Sequence, residues 1–428
     1  MKAEIFHLAL MCLWYTNKFV DVSKVKDSKM KASNNAVMLY LVLSAIYKAG
    51  IATIGGIYTN FLRSFGLNEF EVNMVNVVFF LMITICEIPT GLFADVFGRK
   101  KSFVVSCFLF SLSMFMYAFS QTFFWFAASE AVGAIAATFA SGAFQAWLVD
   151  MMKHHKHDIP LAKVFSWEQK ISGITGMAVV ILASWLADFS MKIPWILGGV
   201  IFLICGIISM KVMREEYFIK KVFSVKGGLE NVASTCKKSW RELQVNKPFR
   251  FIIVVSAVQL FAVVGVNMEW QKVFAGLAGT NAALGTMITA IQIAIIIGSY
   301  GSDWLLKLFK NDEKKAVLAS QIIVGVFIAL TVATSSLPIM VTMFLIHEAA
   351  RGMFRPLKDA YMQKNIPSTE RATLGSFDSM SGHFGGALGL VVSGLLADNF
   401  GITLGWIFAG ITMIVITLFV SKNGRRVG

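Results

Sequence analysis

The stretch GLFADVFGRKKS (residues 91–102) decides how this chain is read. An apolar run, VNVVFFLMITICEIPT (75–90), leads into it and is broken by a single carboxylate, Glu87. A second apolar run, FVVSCFLFSLSMF (103–115), follows. Between them stand Asp95, Gly98 and three consecutive cations, Arg99, Lys100 and Lys101. An apolar segment of about 20 residues can cross a bilayer as a helix that bonds its own backbone. The charged stretch therefore reads as a tight turn between two membrane helices. Cations accumulate in cytoplasmic turns, which puts this turn on the cytoplasmic side.

Outward from that turn the pattern repeats. Of 428 residues, 56% are hydrophobic and 15% charged. Soluble domains hold about 45–50% apolar residues, and the excess here is enough for twelve spans. The candidates are 36–61, 72–96, 102–120, 123–149, 162–188, 193–212, 249–272, 281–305, 315–335, 337–360, 371–397 and 401–421. The runs are too long and continuous for barrel strands, so the expected class is an all-α membrane protein. Cations fall in every second turn: Arg99 to Lys101, then Lys153, Lys156 and Lys163, then Lys307 to Lys315, then Lys364 and Arg371. The intervening turns SQTFF (120–124) and ATSSLP (333–338) carry none. Both termini are expected in the cytoplasm of a multi-pass plasma-membrane protein, a bacterial inner membrane being the setting. The formal charge of +14 is accounted for by this placement, so the partner is the lipid bilayer and not nucleic acid.

Five organisational segments follow. Residues 1–35 read as a cytoplasmic tail, because FHLALMCLWY is too short to span and the lysines after it do not follow signal-peptide order. An alternative is a start at Met30. Residues 36–212 hold six spans, 213–248 form a basic cytoplasmic linker, 249–421 hold six more, and 422–428 form a second tail. SWEQKISGITGMAVVILASWLAD (166–188) aligns without gaps to SFDSMSGHFGGALGLVVSGLLAD (376–398), with Glu168 over Asp378 and a shared closing Leu-Ala-Asp. The two halves are therefore expected to be pseudo-symmetric six-helix bundles. Related halves of this kind rock to alternate access. The chain is expected to act as a monomer.

Gly91, Asp95, Gly98, Arg99 and Lys100 resemble the turn between the second and third spans of the major facilitator superfamily. EIPTGLFADVFGRKKS, SGAFQAWLVD and RATLGSFDSM are most similar to its bacterial drug-efflux-type members. The likeness covers 36–421 and implies the fold of that superfamily. The sequence departs from it in three ways. Glu130 stands where many proton-coupled members have arginine. The proline-containing glycine motif of the fifth span is reduced to Gly173 and Gly176. Phe144 and Gln145 precede the Ala-Trp where relatives often have an acid. Gly91 is expected to let helices approach and Gly98 to permit the turn. Asp95, near the inner end of its helix, needs a cation, either Arg99 or one from the facing half. That bridge is expected to form when the inner mouth closes.

Ionisable residues inside spans cost about 2.5–3.5 kcal/mol on insertion scales, so they line a wet path or find partners. Lys48 and Glu87 lie near the midplane and are expected to pair. Glu348, Arg351, Arg355 and Asp359 recur at helical spacing and form one stripe from the midplane to the inner mouth. Lys358 reads as an interfacial residue that snorkels. Glu168 and Asp378 are expected to gate the seam with Lys170, Arg355 or Arg371. Glu130 and His383 are further proton-path candidates, and Glu269 reads as a solvated rim residue. Tyr47 and Trp270 could stack a flat substrate, ahead of Tyr40, Tyr58 and Trp147.

The cluster KHHKHD (153–158) reads as a solvated loop and not a metal site. The five scattered cysteines have no metal or disulfide spacing. No cofactor is expected, only a coupling proton. The absence of a nucleophile–base pair, nucleotide loop or metal motif argues against an enzyme or an ATP-driven pump. The expected function is alternating-access efflux of small amphipathic organic compounds in exchange for protons. Proton-coupled import of a nutrient, siderophore or lipid-like solute is the alternative, and a transporter-like sensor without flux is a third.

Overall fold

The computed structural model describes residues 28–155, 159–215, 241–366 and 371–423. The terminal tails, most of the central basic linker and part of KHHKHD lie outside the described residues. The described helices make twelve spans long and apolar enough to cross a membrane. In the first half these are α1 (Ser28–Ala52), α3 (Glu69–Phe97), α4 (Arg99–Phe119), the pair α5 (Phe123–Ala140) and α6 (Ala143–His154), α7 (Leu161–Ala187) and α8 (Lys192–Val212). A short α2 (Tyr58–Arg63) follows α1. The second half holds α9 (Lys247–Ala278), α10 (Asn281–Leu308), α11 (Glu313–Thr331), α12 (Leu337–Asn365), α13 (Arg371–Phe400) and α14 (Ile402–Asn423). This is the pseudo-symmetric pair of six-helix bundles.

Local chemistry sets the ends. Asn68 caps α3: its side chain accepts from Glu71 N at 2.8 Å, and the Glu71 carboxylate accepts from Asn68 N at 3.1 Å. That reciprocal pair satisfies two of the orphan donors of a first turn. Gly98, at φ +101° and ψ 150°, ends α3 and starts α4, a backbone region open in practice to glycine alone. Three spans differ from the sequence reading. The first begins at Ser28, inside the expected tail, and breaks at 53–57 before α2. The fourth is interrupted at Ser141 and Gly142, where Gly142 takes φ +71°. The tenth runs on to Asn365 with Pro356 inside it.

Each half has its own apolar core. Tyr40, Phe103, Phe144 and Trp147 cluster toward the inner end of the first half, and Phe61, Phe126, Trp195 and Phe202 toward its outer end. Trp270, Phe344 and Trp406 centre the second half. A small cluster of Val77, Val264 and Leu390 lies between the halves. Exposed apolar side chains such as Phe119, Phe124, Val415 and Phe419 form the faces a bilayer covers.

The halves meet at one end only. Hydrogen bonds and ion pairs joining described residues of the two halves all lie away from the Arg99 turn. Gln271 Oε1 accepts from Thr59 N at 3.1 Å and Thr59 Oγ1 at 2.9 Å. Arg63 and Lys272 both bind the buried Glu69 carboxylate, at 2.6 and 2.8 Å. Arg63 also donates to Met268 O at 3.0 Å. Asp188 and Asp398 each reach backbone amides of the opposite half. With the cation-rich end taken as inner, the chain is closed outside and open inside. This explains Gly91. A Cβ there would meet nothing within 4 Å, so in this state Gly91 is not at a close helix crossing, contrary to expectation.

Candidate functional site

A cavity of about 610 Å³ opens within the first half. Its walls come from α1 to α8, and it is rich in aromatic rings, with Tyr40, Tyr47, Tyr58, Phe110, Tyr117 and Trp195 among its lining. Three ionisable side chains face it: Lys48, Glu130 and Glu168. Tyr47 lines this cavity. Its ring packs on Phe103, Phe110 and Phe202, and its hydroxyl lies 3.4 Å from Ser106 Oγ. Trp270 does not reach this cavity. It is buried in the core of the second half, 5% exposed, because its position on α9 faces α10 and α12 and not the mouth.

Glu130 holds the most distinctive position. Tyr117 donates its hydroxyl to Glu130 Oε2, and Tyr58 Oη lies 3.4 Å from Tyr117 Oη. No cation among the described residues pairs with it, so the carboxyl is held by neutral phenols on an aromatic wall. Sequence reasoning singled out Glu130 but missed Tyr117, which lies on another helix. Glu168 accepts from Ser172 Oγ at 3.0 Å, one turn along the same helix. Lys48 lies along Gly176 of α7, where glycine leaves room for its stem: a Cβ would come within 3.3 Å of Lys48 Cε. Lys48 and Glu87 form no ion pair. Glu87 is exposed on α3 and instead acts electrostatically on His383 of α13. The His383 ring lies 5.5 Å from that of Phe80 across the seam, tilted at 47°. The expected pair fails because Lys48 turns toward α7 while Glu87 turns toward the opposite half.

The α12 stripe is present and graded. Glu348 is 1% exposed, Arg351 25%, Asp359 50% and Arg355 88%. Arg351 Nη2 lies 2.5 Å from Glu348 Oε2, close enough for an ion pair but without hydrogen-bond alignment, and both Glu348 oxygens lack a hydrogen bond. His347, beside it, is fully buried and was missed. Asp378 finds a different partner from those expected. Lys358 Nζ binds it at 2.5 Å and also donates to Ser256 Oγ at 3.1 Å. Lys358 therefore does not snorkel. It turns inward because a carboxylate and a hydroxyl of its own half lie within reach. Asp378 is thereby held inside the second half, and no bond joins it to Glu168.

At the inner turn, Arg99 forms an ion pair with Asp150 of α6. Glu215, past the end of α8, accepts from Arg99 N at 2.5 Å. Burial pushes the Glu215 carboxyl above its ordinary value, against the lowering effect of the amides of Lys100 and Arg99. Asp95 is exposed and has no ion pair among the described residues. A Cβ on Gly98 would meet Glu215 Oε2 at 2.4 Å. Gly98→Ala therefore combines a strained backbone with a displaced carboxylate. The expected result is a loss of about 1–3 kcal/mol, read as a lower unfolding midpoint in detergent.

An aromatic cavity inside the first half, beside a seam that is closed only at its outer end, is the layout of a secondary transporter and not of an enzyme. The sequence profile of the Major Facilitator Superfamily matches residues 40–318 and 261–425, and the chain belongs to that family. Multidrug resistance protein 2 of Bacillus subtilis (strain 168) is 24% identical over 394 residues, covering 90% of this chain and 95% of that protein. The uncharacterized MFS-type transporter YxaM of the same organism is 22% identical over 389 residues, covering 88% and 93%. The crystal structure of the nucleoside transporter NupG superposes with a TM-score of 0.72 at 14% identity, covering 91% of this chain and 99% of that one.

Proposed function

We propose that this chain exports small amphipathic organic compounds in exchange for protons, from the cytoplasm across a bacterial inner membrane. Its inner end and both termini are cytoplasmic, and it works as a monomer. The observation that carries this reading is the Glu130 carboxyl, set in the wall of an aromatic cavity and bonded by Tyr117 without a cation. A carboxyl so placed can change its charge without dismantling an ion pair, which suits it to exchange a proton as cargo enters or leaves. Tyr47 and the neighbouring rings supply flat apolar contact. Lys48 and Glu168 supply polar contact nearer the inner opening. The likeness to a multidrug resistance protein supports the cargo class. On this reading the α12 stripe of Glu348, Arg351 and Arg355 wets the opposite wall, and Asp95 with Arg99 resets the inner mouth.

The test uses purified chain in liposomes with a proton gradient directed from the lumen side equivalent to the outer face. A fluorescent amphipathic dye is expected to move against its own gradient toward the acidic compartment. Movement of the dye in the same direction as protons identifies a symporter and rejects export by exchange. Absence of gradient-dependent movement for dyes and nutrients alike rejects both and leaves a sensor.

A further inference from the structure

The duplicated Leu-Ala-Asp triplets, 186–188 and 396–398, have no role in the cavity or the inner turn. The structure gives both the same task. Asp398, on α13 of the second half, accepts from the first two amides of α3 in the first half: Glu69 N to Oδ1 at 2.9 Å and Phe70 N to Oδ2 at 3.0 Å. Asp188, closing α7 of the first half, accepts from the first two amides of α10 in the second half. Asn281 N binds Oδ1 at 2.8 Å and Ala282 N binds Oδ2 at 3.3 Å. The third amide is satisfied locally in each helix, Glu71 N by Asn68 Oδ1 at 2.8 Å and Ala283 N by Thr280 Oγ1 at 3.2 Å. Each helix thus begins with its own cap on one amide and a foreign carboxylate on two.

This arrangement is a joint and not a general cap. The first amides of a helix have no partner inside it, and its positive end favours an anion. A carboxylate on the same half could have filled that need permanently. Here it comes from the other half, so the bonds exist only while the outer ends touch. The two contacts are exchanged reciprocally, first half to second and second to first. They lie on the two helix pairs, α3 with α13 and α7 with α10, that flank the seam. Water can replace the protein partner on either side when the halves part, so each contact can break without leaving a buried orphan.

We propose that Asp188 and Asp398 form a duplicated outer clasp whose release sets how often the transporter opens outward. The clasp rests on alternating access and on nothing about cargo or coupling ion. Two reporter cysteines read the two mouths in a background where Cys12, Cys86 and Cys236 are serine, Cys107 and Cys205 being buried. Val77→Cys lies in the seam cluster with Val264 and Leu390 and reacts with an impermeant maleimide from outside only when the outer end opens. Gly91→Cys stands in open space at the inner mouth and reacts from inside.

Asp188→Asn and Asp398→Asn are each expected to raise outer labelling about threefold, given one anion removed from one helix terminus. Together they are expected to raise it about tenfold, since the sites share no partner. Inner labelling falls in step. Asn281→Pro is the second variant. It deletes one of the amides that Asp188 binds, at the first helical position, where proline is tolerated. The preceding Thr280 is already extended, at φ −142° and ψ 153°, as a residue before proline must be. Its effect is expected in the same direction and smaller. Outer labelling that rises while inner labelling stays fixed means local fraying and overturns the clasp. Unchanged labelling at both reporters in Asn281→Pro and the double Asp variant also overturns it. A proton gradient that fails to move the two reporters in the parent chain counts against proton coupling alone, and the clasp stands or falls on the variants.

Discussion

Glu130→Gln is expected to abolish proton-driven movement of substrate while leaving the fold and the cavity in place. The substitution keeps shape and keeps an oxygen that can accept from the Tyr117 hydroxyl, so the packing around Tyr58, Tyr117 and Trp195 is retained. What it removes is the capacity to gain or lose a charge. Gradient-driven dye movement in liposomes therefore falls to the level of empty vesicles. Counterflow, in which labelled and unlabelled substrate exchange with no net proton movement, continues. Loss of both activities would make Glu130 a structural or substrate-binding residue and not the coupling carboxyl. Persistence of both would place coupling elsewhere, with Glu348 the next candidate because it is buried and has no hydrogen bond on its carboxylate. Tyr117→Phe removes one donor and keeps the carboxyl. Losing one such bond changes an equilibrium by about 1 kcal/mol, so coupled transport is expected to weaken about fivefold without disappearing.

The membrane fold was legible because it depends on quantities that a sequence carries locally. Apolar run length set the spans, and the charged turn at 91–102 set their direction and family. Gly98 was legible for the same reason, since a turn between two abutting helices needs a residue free of a Cβ. The sites were legible only in part. Glu130, Glu168, Lys48 and the α12 stripe announce themselves as charges in apolar helices. Their partners do not. Tyr117 meets Glu130 from another helix, and nothing in the local pattern separates it from the other rings of α4. Glu269 shows the cost of reading one helix at a time. Near the end of its span it looked solvated, yet it is fully buried, bonded by Ser393 Oγ at 2.6 Å and Trp406 Nε1 at 2.8 Å. Closure of the seam brings Asn73 of the other half to the same carboxylate at 3.5 Å. Lys358 was misread because snorkelling is a property of one side chain, whereas Asp378 lies 20 residues away on a neighbouring helix. The Leu-Ala-Asp repeat was visible as a repeat, but its task required knowing which helix begins opposite each aspartate.

Gly389→Leu is expected to prevent the second half from folding, because α13 lies directly on the backbone of α9. A Cβ on Gly389 would stand 2.1 Å from Phe261 O, and one on Gly385 would stand 2.3 Å from Ala257 O. The two glycines are four residues apart and so share one face of α13, the small-residue spacing that lets membrane helices approach closely. Both obstructing atoms are backbone carbonyl oxygens of a continuous helix, so no side chain can rotate away. The helices must separate along their length, and α13 also carries the seam contact with α3. Even Gly389→Ala is expected to lower stability by about 1–3 kcal/mol, the usual cost of forcing an added methyl into a packed site. The sign is informative, because alanine is otherwise the better helix former by about 1 kcal/mol. Gly91→Ala, in open space on α3, is expected to be neutral or slightly stabilising by that margin. Gly405→Ala, whose nearest neighbour would be at an ordinary 3.8 Å, should behave like it. Unfolding in detergent, followed by the monodisperse fraction after heating, checks all four variants. A Gly389→Leu chain as stable as the parent would mean that α9 and α13 do not cross at this face, and the seam built on them would have to be redrawn.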